Sequence, residues 1–100
     1  MEADLEHLSV EFHDRARCLF VSEFREFNAT VELLDRRKDE QVFLQQREKY
    51  TTDLQQQLQK IAKEILSRNQ SHRNIGQLSQ NLHSFISDYL HRFARKIEAL

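Results

Sequence analysis

Apolar side chains recur every three or four residues along almost the whole chain, the spacing that keeps one face of an α-helix out of water. Leu5, Leu8, Phe12, Ala16, Phe20, Phe24, Phe27, Val31 and Leu34 form one such stripe, and Phe43, Tyr50, Leu54, Leu58, Ile61 and Ile65 form a second. At roughly 100° per residue the two stripes are about half a turn out of phase. The chain therefore either turns within residues 35–41 or continues as one rod that offers opposite sides to different neighbours. The segment Asp35-Arg36-Arg37-Lys38-Asp39-Glu40-Gln41 has no Gly, Pro or Asn and consists mostly of good helix formers, so only the phase jump argues for a turn. A break at 67–76 has stronger local support. Ser67, Asn69, Ser71, Asn74 and Gly76 are poor helix formers, and Asn74 followed by Gln77 resembles a capping box opening a new helix. Beyond it Ile75, Leu78, Leu82, Phe85, Tyr89, Phe93, Ile97 and Leu100 make a third stripe.

These patterns predict a single all-α unit with helices over about 4–35, 41–66 and 74–99, arranged as an elongated helical hairpin or a three-segment coiled-coil or helical bundle. The absence of Pro and the single Gly agree with that class. The middle stripe is one residue wide over most of its length and is flanked by Gln55, Gln56, Gln57, Gln59, Lys60 and Lys63. Such a seam suits one helical neighbour better than two. With 31% charged and 39% apolar residues, the expected core is thin, and a second chain is expected to supply part of the hydrophobic stabilisation.

The densest apolar patch, Phe20, Phe24 and Phe27 with Val31 and Leu34, reads as core packing or as a partner-binding anchor, because a few clustered aromatic residues carry most of an interface's energy. Leu54, Leu58 and Ile61 of the middle stripe and Phe93 of the third join it as candidate partner-binding positions. Five histidines invite a metal test. Asp4-x-x-His7 and Asp88-x-x-His91 each put a carboxylate and an imidazole on one helix face, but no supporting carboxylates are identifiable, and solvated histidines are the better reading. There is no Gly-rich phosphate loop, HExxH or nucleophile elbow, so the expectation is a non-catalytic protein without cofactors.

Other features narrow the setting. The longest apolar run, Cys18-Leu19-Phe20-Val21, is far too short to span a membrane. The acidic start Met1-Glu2-Ala3-Asp4 lacks the marks of a signal peptide, and the lone Cys18 fits a reducing compartment. A cytoplasmic location is expected, with a nuclear one as the alternative. Thirteen acidic and eight basic side chains lie in 1–59, against three acidic and seven basic in 60–100. That distribution favours antiparallel packing of the chain's own ends or a partner of complementary polarity, and gives no strongly basic surface for nucleic acid. The basic stretch Tyr89–Ile97 could touch an acidic groove or membrane, although cations near a helix C-terminus are also favoured by the helix dipole.

The stretch Arg17-Cys18-Leu19-Phe20-Val21-Ser22-Glu23-Phe24-Arg25-Glu26 resembles a short segment of Muted-type subunits of the complex for biogenesis of lysosome-related organelles, which have a similar Phe-Val-x-Glu-Phe-x-Glu run. The likeness covers about ten residues. It implies a small helical subunit of an elongated, hetero-oligomeric cytosolic coiled-coil assembly, and singles out Phe20 and Phe24. Taken together, these readings lead to a non-catalytic subunit or adaptor of an intracellular complex whose partners are other helical chains, as a hetero- or homo-oligomer. The vesicle or lysosome-related organelle pathway is one setting, and a chromosome or cytoskeleton assembly another. The alternative function is a self-contained three-helix protein-binding module.

Overall fold

In a computed structural model that describes residues 4–100, the chain folds into three helices: α1 (Leu5–Val31), α2 (Glu40–Arg68) and α3 (Ile75–Glu98). Residues 1–3, on which the reading of the N-terminal leader rests, lie outside the described residues. The helices form an up-down-up bundle with extents of 56 × 18 × 17 Å, and every pair of helices is in contact. Among the described residues no helix is long and apolar enough to cross a membrane.

α1 starts where the sequence offers a capping residue: Asp4 has extended backbone and its carboxylate accepts the His7 N–H at 2.7 Å. This capping bond accounts for Asp4, while His7 contributes only its backbone N–H to it. The helix ends at Val31, four residues before the expected boundary, and residues 32–39 reverse the chain. Two aspartates explain why a run of good helix formers turns. Asp35 accepts the Arg37 N–H through its side chain at 3.0 Å, and the Asp39 carboxylate accepts the Asp35 N–H at 3.1 Å. Local bonds of this kind satisfy backbone donors outside a helix and so compete with it. The hairpin is therefore the architecture, and the continuous rod is excluded.

The second connection, residues 69–74, is closed by His72, the single buried polar side chain among the described residues. Its Nδ1 accepts the Asn74 N–H at 3.0 Å, while Asn69 donates its side-chain amide to the Ile65 carbonyl at 2.7 Å. The expected capping box at the start of α3 does not form. Asn74 makes no side-chain capping bond, and Gln77 instead bonds Asn81 at 2.8 Å, so the backbone-to-imidazole bond does the work of ordering the turn.

One apolar core runs through the bundle, with Phe12, Phe27, Leu54, Leu58, Ile65, Leu78, Leu82, Phe93 and Ile97 inaccessible or nearly so. The expectation that α2 meets one neighbour is corrected: it packs on both α1 and α3. The stripe is widened by Ala62, which is buried although its small side chain carries little periodic signal, and by half-buried Leu66. Ile86 does the same for α3. Toward the first turn, Phe27 supplies the bulk that α2 lacks between Phe43 and Leu54, its ring lying 5.6 Å from that of Phe43 and 5.8 Å from that of Tyr50. Edge-to-face rings at this spacing stabilise beyond their buried area.

Two measurements check this fold. Spin labels at Glu23 and Gln55 should lie within roughly 20 Å of each other in the antiparallel pair, against about 48 Å along a continuous helix. Phe27→Ala, which removes a fully enclosed ring, should lower unfolding free energy by about 3–5 kcal/mol in a denaturant titration, whereas exposed Lys63→Glu should stay within about 0.5 kcal/mol of the parent.

Candidate functional site

The nine positions read from the sequence as partner-binding divide into two groups. Phe27, Val31, Leu54, Leu58, Ile61 and Phe93 are buried in the chain's own core, where the three helices meet. They hold the bundle together and do not face a second chain. The physical reason is that a helix stripe records only which positions avoid water, and α2 and α3 of the same chain cover it. Phe20, Phe24 and Leu34 are half-buried. Of these, Phe20 and Phe24 lie on the seam between α1 and α3, and they are the predicted residues that the structure leaves accessible together.

The α1–α3 seam is aromatic along its length. His13 stacks near Phe85 at 4.4 Å and bonds the Tyr89 hydroxyl at 3.0 Å; Phe20 meets Phe93 edge-on at 5.6 Å, and Phe24 meets the same ring at 6.2 Å. Because α1 and α3 run parallel, these contacts climb together through the two helices. Burial, and then the nearby Arg17 and Arg92 guanidiniums, hold the His13 imidazole below its ordinary value of 6.5. Burial also pushes the Tyr89 phenol up. Cations cover the outside of the seam: the Lys96 ammonium lies 4.5 Å from the Phe24 ring centre and 5.8 Å from that of Phe20, and the Arg92 guanidinium lies 5.8 Å from the centre of Tyr89. Phe85 was assigned to a helix face from the sequence, but its pairing with His13 had no signal there, because the two are far apart along the chain.

The α1–α2 seam has a different chemistry. Arg15 pairs with Glu64 at 2.8 Å and Arg68 with Glu11, both near the surface. The Arg15 guanidinium bonded to Glu64 keeps that carboxyl below its usual range. Between these pairs and the aromatic end lies an open groove of about 480 Å³ lined by Arg15, Cys18, Leu19, Gln57, Lys60 and Ile61. Cys18 is exposed there. Further along, Glu23 is half-buried and one of its oxygens, enclosed from solvent, has no hydrogen-bond partner. Burial, then the charges of Asp53 across the seam and Glu26 beside it, raise its carboxyl above 4.5. The sequence reading missed Glu23 because its facing carboxylate is contributed by α2.

Among the described residues no group of three metal-ligating side chains converges. His7 and His91 are exposed. No known family model, curated protein or solved structure matches the chain.

The Glu23 environment sets a sign for pH dependence. Its raised folded-state value means that the folded chain holds a proton more tightly than the unfolded one, so its contribution is present below pH 4.5 and is lost as pH rises through the folded value. Glu23→Gln should therefore raise Tm at pH 7 and leave it nearly unchanged below pH 4.5, measured by circular dichroism melts across that range.

Proposed function

We propose that the chain is a non-catalytic, self-contained three-helix module that binds other helical protein chains and serves as a subunit or adaptor of an intracellular assembly. The observation that carries this reading is the part-accessible row of aromatic rings at the α1–α3 seam: a bundle that encloses its own core still leaves Phe20, Phe24 and Phe85 half-buried, with Lys96 lying over the first two. Rings held by a rigid scaffold bury large area on docking at little entropic cost. The grooves are open and shallow and lined mainly by polar and charged side chains of the helix surfaces, unlike the enclosed, largely apolar pockets that bury a small substrate. The short Phe-Val-x-Glu-Phe-x-Glu similarity suggests the cytosolic machinery of vesicle and lysosome-related organelle traffic as the setting.

Two measurements test it. The isolated chain should elute as a monomer by light scattering and melt cooperatively at a temperature independent of concentration over about a hundredfold range, because no second chain is needed to complete the core. Tagged protein isolated from its native source should retain helical partner proteins that Phe24→Asp releases and Lys63→Glu does not. A concentration-dependent melt would show a core shared between copies, and retention of the same partners by Phe24→Asp would remove the seam from the interface.

A further inference from the structure

We propose that the seam between α1 and α3 is the docking site for an amphipathic helix with acidic flanks, contributed by a different protein, which completes a four-helix bundle. The inference rests on the assembly-module reading above and specifies which face is used and what it takes.

The seam combines three properties. Its rings are only partly covered: Phe20, Phe24 and Phe85 pack against the core while part of each remains accessible, Lys96 lies over the first two, and Val21 on the same helix as Phe20 and Phe24 is 50% exposed. Two parallel helices form the walls, so an incoming helix can lay successive apolar residues, spaced three and four apart, along the row of rings. Two of the cations at its edge hold no ion pair among the described residues. Arg17 is paired with Asp14 at 2.7 Å, but Arg92 and Lys96 form no ion pair among the described residues and rest on aromatic faces. A carboxylate one turn from the apolar stripe of an incoming helix would meet each of them and gain a charge-assisted bond.

The same charges decide between occupants. In a symmetric dimer the patch would face its own copy, bringing Arg92 and Lys96 of both chains together with Asp14, already paired with Arg17, and Asp88 as the acids beside them, so the cations outnumber the acid left to pair with them. An anionic bilayer would accept the cations. However, bilayer binding needs apolar groups that protrude, and the rings here lie between two helices. An acidic amphipathic helix satisfies both the groove and the charge. In the α1–α2 groove Arg15 is already paired with Glu64, which leaves Lys60 as the cation of that lining without an ion pair among the described residues.

The test uses the full chain and two fluorescent peptides of about three heptads, each with Leu at the core positions and flanked either by Glu or by Lys. Anisotropy titrations should show the Glu-flanked peptide binding and the Lys-flanked one not, with affinity falling as salt is raised. The double change Arg92→Glu and Lys96→Glu, at exposed positions, should weaken binding by about tenfold or more while the thermal melt shows an intact fold, and Val21→Glu should do the same independently. Lys60→Glu on the α1–α2 groove should have no effect. Equal binding of both peptides, or binding unaffected by the seam variants, would overturn the proposal. Binding lost through Lys60→Glu alone would move the interface to the other groove and leave the module reading intact. Failure of both peptides to bind, with no partner retained from the native source, would remove the module reading as well. Co-sedimentation with phosphatidylserine vesicles that the seam variants abolish, or a dimer that they dissociate, would assign the face to a membrane or a second copy and reject the partner helix.

Discussion

Asp35 and Asp39 hold backbone donors in a turn between two segments that each prefer to be helical, and every interior contact of α1 with α2 depends on that reversal. Without it the Phe27 ring would have no access to Phe43 and Tyr50, and the two apolar stripes would point to opposite sides of a rod. The bonds themselves are ordinary and each contributes on the order of 1 kcal/mol. Their importance is topological: they determine which apolar surfaces can find each other, and the hydrophobic contacts that follow supply the stability. Arg36, on the same turn, lies over the Phe43 ring at 4.2 Å and donates to the Leu100 carbonyl at 2.9 Å, joining the turn to the far end of α3.

Once the chain has reversed, the two seams of α1 diverge in character. Facing α2 it carries charged pairs at one end and aromatic contacts at the other, with a pair of like charges, Glu23 and Asp53, between them. The carboxylate repulsion is tolerated because the surrounding packing outweighs one partly desolvated charge. Facing α3, α1 offers the rings of Phe20 and Phe24, over which Lys96 of α3 lies. Rings fill space without needing hydrogen-bond partners, so this seam encloses Phe93 fully while Phe20, Phe24 and Phe85 remain half-buried. The bundle thus encloses its own core while Phe20, Phe24 and Phe85 stay part-accessible.

The candidate site was only partly legible in the sequence. Phe20 and Phe24 stand out because helical spacing and ring size are local properties, and both prove to be at an accessible seam. The same criterion also selected Phe27, Leu54 and Phe93, which the structure encloses, because periodicity reports avoidance of water without naming what provides the shelter. The cover of Lys96 on Phe24 and the pairing of His13 with Tyr89 join residues 72 and 76 positions apart; no spacing rule reaches that far. His72 escaped notice for a different reason. A histidine among polar turn residues reads as solvated, yet bonding to the Asn74 N–H lets it close the second turn in a buried position.

The sequence by itself determined the all-α class, the three apolar stripes and the break near residue 70, because each follows from local propensity and spacing along one helix. It also carried the half-turn phase jump, a sign that the first two stripes could not share one straight helix face. Only the tertiary structure decided that residues 32–39 reverse the chain, that α2 touches two neighbours through Ala62 and Leu66, and which of the aromatic rings end inside. Those outcomes depend on contacts between segments distant along the chain, where the burial of one stripe is set by the shape and charge of the others. A single stripe can state that it needs cover; the packed bundle assigns that cover and leaves the α1–α3 seam exposed.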